Sequence, residues 1–232
     1  MLSLTDRPTA ASSPCTIPIR HAVVELGFQG DKLIEAGQAQ SYPAPEFRVG
    51  LPGNNEIYAL LPNYNHQTVP HASGFGPTSI GFKHIINYTD DWIFTVEGVL
   101  TPPSGSTNFG SPGLAGTLNE ILAFNLNKKL SMTYQLGIST ETDVETNGGQ
   151  RFISINPVLI LAWSPTDKLQ FYGSVYGKTK TSAEEGRGFI AATGLVYLLT
   201  KNMTIDVEGG QRINGSLGGT ENYYGLGTAL LF

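Results

Sequence analysis

Leu126-Asn127-Lys128-Lys129-Leu130-Ser131-Met132-Thr133-Tyr134-Gln135-Leu136-Gly137-Ile138-Ser139 reads as a tight turn running into a strand. Successive side chains of a strand point to opposite faces of its sheet. Leu130, Met132, Tyr134, Leu136 and Ile138 therefore share one face, and Ser131, Thr133, Gln135, Gly137 and Ser139 the other. The same division recurs at Met203, Ile205 and Val207 against Thr204, Asp206 and Glu208, and at Leu169, Phe171 and Val175 against Gln170, Tyr172 and Ser174. A soluble sandwich would alternate in this way too, with its apolar face packed on a second sheet. The turns between the strands separate the two architectures.

Short turns stand at Pro52-Gly53-Asn54-Asn55, Tyr88-Thr89-Asp90, Leu126-Asn127-Lys128, Ser164-Pro165-Thr166-Asp167 and Thr200-Lys201-Asn202. Taken at residues 53, 89, 127, 165 and 201, they are 36, 38, 38 and 36 residues apart. Between them lie longer stretches rich in Gly, Pro, Thr and Asn: Asn63 to Gly76, Thr101 to Pro112, Glu141 to Gln150 and Lys180 to Gly188. Adding Gln29 to Ala36 and Asn214 to Asn222 gives five tight and six longer connections, which join twelve strands. These are expected at 21–29, 37–51, 55–63, 77–87, 91–101, 114–125, 129–140, 151–163, 168–179, 188–199, 202–213 and 222–232. Both termini then fall on the tight-turn rim. An even strand number, short turns on one rim and long loops on the other describe a membrane barrel, with periplasmic and extracellular ends. The predicted fold is all-β, a closed antiparallel up-and-down transmembrane β-barrel over residues 21–232, preceded by a short irregular periplasmic segment over 1–20.

Composition agrees. Only 14% of residues are charged and Gly reaches 28, too few charges for the coat of a soluble domain. There is no basic run among the 14 Lys and Arg, and 19 Asp and Glu outnumber them, so nucleic acid is excluded as a partner. The apolar runs Pro157 to Trp163 and Phe189 to Leu199 fall short of the roughly 20 residues a membrane helix needs. Met1 to Pro8 does not have the form of a secretory signal, so a barrel implies that a signal was trimmed or lies upstream. Cys15, the single cysteine, has no internal disulfide partner and no metal-ligating neighbours. Trp92, Trp163, Tyr88 and Tyr197 lie close to tight turns, as in an interfacial aromatic belt. The last strand puts Tyr224, Leu226, Leu230 and Phe232 on one face and ends on an aromatic, an ending similar to the assembly signal of outer-membrane barrels. Outer-membrane lipid, lipopolysaccharide and the assembly machinery are the partners this predicts, together with a small-molecule solute.

A charge facing lipid near the midplane costs roughly 2–4 kcal/mol, so the charged face of the strands is expected to point inward. The candidate lumen-lining residues are Glu25, Arg48, Glu56, Lys83, Glu97, Lys178, Asp206, Glu208 and Arg212, with Tyr58, Tyr172 and Tyr176. They suit either a selective path for solutes or a salt-bridged filling of a small barrel, twelve strands being well below the 16–18 of open porins. Glu120 falls among Leu118, Leu122 and Phe124, and a bulge or change of register is expected there. Glu141-Thr142-Asp143-Val144-Glu145 is rich in oxygen ligands but lacks the spacing of a calcium loop, and reads as a solvated loop. No metal or cofactor is expected. A barrel-embedded hydrolase would need a nucleophile beside a base; His21, His66, His71 and His84 form no such pattern, so no catalytic residue is assigned.

A family resemblance adds to this reading. It rests on Thr5-Asp6-Arg7-Pro8 with Ser13-Pro14 and Ile17-Pro18, on Arg48-Val49-Gly50-Leu51, and on Gly76-Pro77-Thr78-Ser79-Ile80-Gly81-Phe82-Lys83. Further along come Pro103-Ser104-Gly105, Trp163-Ser164-Pro165-Thr166-Asp167 and Gly194-Leu195-Val196-Tyr197-Leu198-Leu199-Thr200 leading to Asp206. In this order the chain resembles, over nearly its whole length, the Gram-negative outer-membrane barrels known as transporters of the MetA pathway of phenol degradation. The resemblance implies a barrel that passes small molecules, aromatic or hydrophobic ones included. The alternative is a plugged structural or adhesive barrel whose extracellular loops do the work. Tyr58 stands where the family often has Arg, Thr9 where an acid is usual, and no signal peptide is present.

Overall fold

In the computed structural model, residues 1–35, 37–145 and 148–232 are described. Twelve strands close into a ring. In chain order they are β1 (Ala22–Leu33), β3 (Glu46–Leu51), β4 (Asn55–Leu60), β7 (Ser79–Tyr88), β8 (Trp92–Thr101) and β9 (Ala115–Asn125). The other half is β10 (Leu130–Thr142), β11 (Arg151–Thr166), β12 (Leu169–Lys178), β13 (Gly188–Thr200), β14 (Met203–Gly215) and β15 (Thr220–Leu231). Each is antiparallel to its neighbour, and β1 pairs with β15 from Val23↔Leu231 to Leu33↔Thr220. The sheet ring therefore has no free edge, which removes the unpaired backbone groups that hydrocarbon cannot satisfy.

Four of the five tight turns fall where the spacing puts them, and the fourth is displaced to residues 167–168 because β11 runs on to Thr166. The first, a three-residue connection over 52–54 between the paired Leu51 and Asn55, is made possible by Gly53 and Asn54, both at positive φ (77° and 58°), a conformation that Gly and Asn adopt more readily than other residues. The long connections differ more. Gly215, Gly218 and Gly219, all at positive φ, tighten the connection between β14 and β15 to residues 216–219. The expected connection Gln29 to Ala36 shrinks because β1 runs on to Leu33; its end, Ala36, lies outside the described residues.

The expected strand 37–51 is two strands, β2 (Gln38–Tyr42) and β3, and the expected loop Asn63 to Gly76 contains a hairpin of β5 (Tyr64–Gln67) and β6 (Ala72–Phe75). Proline is the reason. Pro43 and Pro45 flank Ala44, itself at φ 45°; Pro62 follows β4 and Pro77 precedes β7. Proline has no N–H to give to a ladder, so three neighbouring strands break and resume. Below the breaks β3, β4 and β7 belong to the ring, and above them β2 pairs with both β1 and β5, continuing the wall outward. The outer edge of β6 is covered by the connection 102–114, where Ser106 donates its backbone N–H to the Phe75 carbonyl at 2.9 Å.

Burial is inverted relative to a soluble domain. Leu118, Ile138, Ile153 and Leu226 are more than half exposed, whereas Glu25, Arg48, Glu56 and Lys83 are wholly buried. The apolar face of the alternation is the outer face of the barrel, and the charged face is its interior. Glu120 corrects one expectation: β9 keeps unbroken register on both sides, Glu120 opposite Val96 and Leu136, so no bulge rescues it. Its carboxylate is exposed on the outer face.

Candidate functional site

The barrel interior is occupied by residues 1–17, most of the segment 1–20 that the sequence places below the barrel on the periplasmic side; Pro18, Ile19 and Arg20 are exposed. An irregular chain carries many unpaired N–H and C=O groups and enters a buried space only where these find partners. Here the wall supplies them. Glu25 accepts the N–H groups of Asp6 (3.0 Å) and Arg7 (2.8 Å), and Glu56 accepts that of Ile17 at 2.7 Å. Gln135 accepts the Ser12 N–H at 3.0 Å, while Thr95 donates to the Pro14 carbonyl at 2.6 Å and Arg48 to that of Leu4 at 2.6 Å. Ile17 packs against Val23 and Ala229 at the lower end of the lumen.

Two charge clusters hold this plug. In the first, Arg48 lies 2.8 Å from Glu56, 3.1 Å from Glu25 and 3.0 Å from Asp6. Lys83 adds contacts to Asp6 at 3.4 Å, Glu56 at 3.7 Å and Glu97 at 3.8 Å. Burial pushes the Asp6 carboxyl up, but the charges of Arg48 and Lys83 and the Ser13 N–H more than offset it and hold Asp6 below the usual aspartate value. In the second cluster Arg7 of the plug reaches Asp206 at 3.2 Å and Glu208 at 3.7 Å, and donates to the Leu226 carbonyl at 3.2 Å. Arg7 fits only because Gly27 and Gly227, opposite each other across the closing seam, have no side chains; a Cβ on either would strike the guanidinium.

The sequence-derived candidates divide by place. Glu25, Arg48, Glu56, Lys83 and Glu97 come together in the first cluster, with the Tyr58 ring 5.8 Å from the Lys83 ammonium. Asp206, Glu208, Tyr172 and Tyr176 line the opposite wall, where Tyr172 and Tyr223 donate to Glu208 at 3.4 and 3.1 Å. Lys178 and Arg212 stand apart toward the outer rim, in half-buried pairs with Glu141 and Glu221, both at 2.6 Å. Asp6, Arg7, Glu46, Gln135 and Tyr223 are additions. Glu46 shares strand parity with Arg48, which is the signal that could have found it; no periodicity marks Asp6 and Arg7 as interior.

Other motifs are accounted for by ordinary contacts. Glu141 pairs with Lys178, and Asp143 accepts the Ala183 N–H at 3.0 Å; Thr146 and Asn147 of that loop lie outside the described residues. His84 on the outer face bonds Asn55 at 2.8 Å, His21 bonds the Ile19 carbonyl, and His66 and His71 lie together at the β5–β6 turn. Burial raises the Cys15 thiol above its ordinary value.

Three cavities run in series along the lumen. The outermost, about 520 Å³, shares Gln29, Tyr176 and Tyr223 with a middle one of about 530 Å³. The middle one shares Arg7, Thr9 and Ser12 with an innermost one of about 350 Å³ that extends to Tyr88, Thr89 and Trp92 at the tight-turn rim. Only the plug stands between the last two.

Solved structures share this architecture. The COG4313 outer membrane channel from Pseudomonas putida F1 aligns with a TM-score of 0.78 at 11% identity, covering 97% of this chain and 100% of that one. The KdgM porin aligns at 0.61 and 11% identity, covering 90% and 99% of the two chains, and the NanC porin at 0.59 and 14%, covering 90% and 98%. No curated relative matches the sequence. The closed ring of twelve strands is thus that of outer-membrane barrels, and the chain, matched over residues 6–226, belongs to the family described as "Putative MetA-pathway of phenol degradation".

Proposed function

We propose that the protein is a non-enzymatic channel of the outer membrane of a Gram-negative bacterium. Small solutes with an apolar or aromatic body pass through its lumen, and residues 1–20 form its constriction. The observation that carries this reading is the series of three cavities, the outer two meeting at Gln29, Tyr176 and Tyr223 of the wall and the inner two at Arg7, Thr9 and Ser12 of the plug. A barrel filled solely for stability has no need of connected space above and below one narrow element. The family description and the channel and porin architecture of the similar structures point the same way. The exposed outer face of the ring is suited to lipid and lipopolysaccharide, and the strand ending at Phe232 to the assembly machinery.

The test is planar-bilayer conductance and liposome swelling of the refolded chain beside Arg7→Ala, which releases the plug from the seam. Small conductance in the parent and larger conductance in the variant are expected. The number of ties between plug and wall favours a second reading, a permanently plugged structural barrel. Silence of both proteins would select it.

A further inference from the structure

The middle cavity carries more acid than its surroundings neutralise. Its ionisable wall holds Asp6, Glu46, Glu97 and Glu208 against one cation, Arg7. Arg7 is shared between Asp206 at 3.2 Å and Glu208 at 3.7 Å, and Asp6 is committed to Arg48 and Lys83, which leaves Glu46 and Glu97 the least neutralised. Glu46 is only 8% exposed, and its carboxylate has no hydrogen bond or ion pair among the described residues. Glu97, 1% exposed, uses one oxygen for Asn119 (2.7 Å) and Ser12 (3.0 Å); the other is buried without a hydrogen bond, 3.8 Å from Lys83. A buried carboxylate without a partner is costly, and a cation entering the cavity relieves that cost. Tyr58, Tyr176 and Tyr223 line the same cavity; a tyrosine ring attracts cations, and that of Tyr58 already has the Lys83 ammonium at 5.8 Å.

We infer that this cavity is a binding site for a small organic cation, a primary or substituted ammonium on a compact apolar or aromatic body, held by Glu46, Glu97 and Glu208 among the three tyrosines. A volume of about 530 Å³ suits a small organic molecule. A bare divalent metal fits less well, since no group of three or more His, Cys, Asp or Glu among the described residues is placed to hold one. The inference deepens the channel reading and rests on it for its biological meaning. The binding itself can be measured apart from transport.

Three probes share a ring and differ in charge: benzylammonium, benzyl alcohol and benzoate. Calorimetry on the refolded full chain in detergent at pH 7 should show benzylammonium binding about tenfold tighter than benzyl alcohol or better, with benzoate weakest. Glu46→Gln combined with Glu208→Gln should bring benzylammonium to the level of the alcohol measured on the same variant. Glu46→Asp should keep the preference, and serves alongside single Glu46→Gln if the double variant loses its heat-dependent gel migration. Equal binding of alcohol and ammonium, or a preference that survives loss of the acids, overturns the inference. Charge-selective binding by a barrel that conducts nothing would leave the cation site standing and remove the channel; conduction without charge preference would do the reverse.

Discussion

Arg7 holds the plug to the one seam that closes the barrel, and it does so through a slot made by two missing side chains. Gly227→Val should place a branched side chain where the guanidinium lies. The strand accepts Val, so the overpacking, about 1–3 kcal/mol, falls on the plug rather than on the ladder. The expected result is an unchanged heat-modifiable barrel with raised conductance in planar bilayers; an unaltered conductance would show that Arg7 does not hold the constriction. Asp6 gives the plug a pH dependence of known sign. Its folded-state pKa lies below the ordinary 3.8, so its contribution is full above that value and is lost as pH falls through the lower, folded one. Acid-induced opening through Asp6 should therefore begin only below about pH 4, and Asp6→Asn should be loose already at neutral pH, measured as conductance against pH. Strand parity made Glu25, Arg48, Glu56, Lys83 and Glu97 legible as interior residues, because a charge on a transmembrane strand has only one tolerable side. The plug was not legible: residues 1–20 have no period, and what draws them inward is the unspent acceptor capacity of Glu25, Glu56 and Gln135, a property of the assembled wall.

Among the elements, β2, β5 and β6 are the least secured. Pro43, Pro45, Pro62 and Pro77 separate them from the ladder below, and β1 is the one ring strand they pair with, the Ser106–Phe75 bond from the connection 102–114 being added at the far edge. An aromatic row supports that attachment. Tyr224, Phe28, Tyr42, Tyr64 and Phe75 follow one another across five strands with ring centroids 5.9, 6.2, 5.7 and 5.6 Å apart, each contact worth roughly 0.5–1.5 kcal/mol. Amides of β5 and β6 should exchange with deuterium well before those of β9 and β10. Tyr64→Ala should speed the former and leave the latter alone; equal protection throughout would mean that the proline breaks do not divide the wall. The ring strands could be read from sequence because each lies between a tight turn and a polar loop at a constant interval. The β5–β6 hairpin could not, since Asn63, Pro70, Gly74 and Gly76 are the residues that elsewhere mark loops, and it is pairing with β2 on one side and β6 on the other that makes Tyr64–Gln67 a strand.

For the whole molecule, stability depends on keeping charge off the middle of the outer face, and Glu120, at the centre of β9, measures this. It sits in the middle of β9 between Leu118 and Leu122 with Val96 and Leu136 across from it. Arg or Lys at the bilayer midplane costs roughly 2–4 kcal/mol and Glu less. Glu120→Leu should therefore stabilise the folded barrel by about 1 kcal/mol in denaturant unfolding from lipid vesicles. Leu159→Arg, on the same outer face of β11 and opposite Tyr134 and Val175, should lose the full 2–4 kcal/mol. Leu136→Arg puts the same charge directly opposite Glu120, where cross-strand attraction offsets part of the loss. Its cost should be smaller than that of Leu159→Arg in the parent and should rise to match it once Glu120 is Leu, a coupling that a double-mutant cycle isolates. If Leu136→Arg costs the same in both backgrounds, Glu120 does not face the space the register assigns to it, and the outer face of β9 must be turned from the lipid at that point.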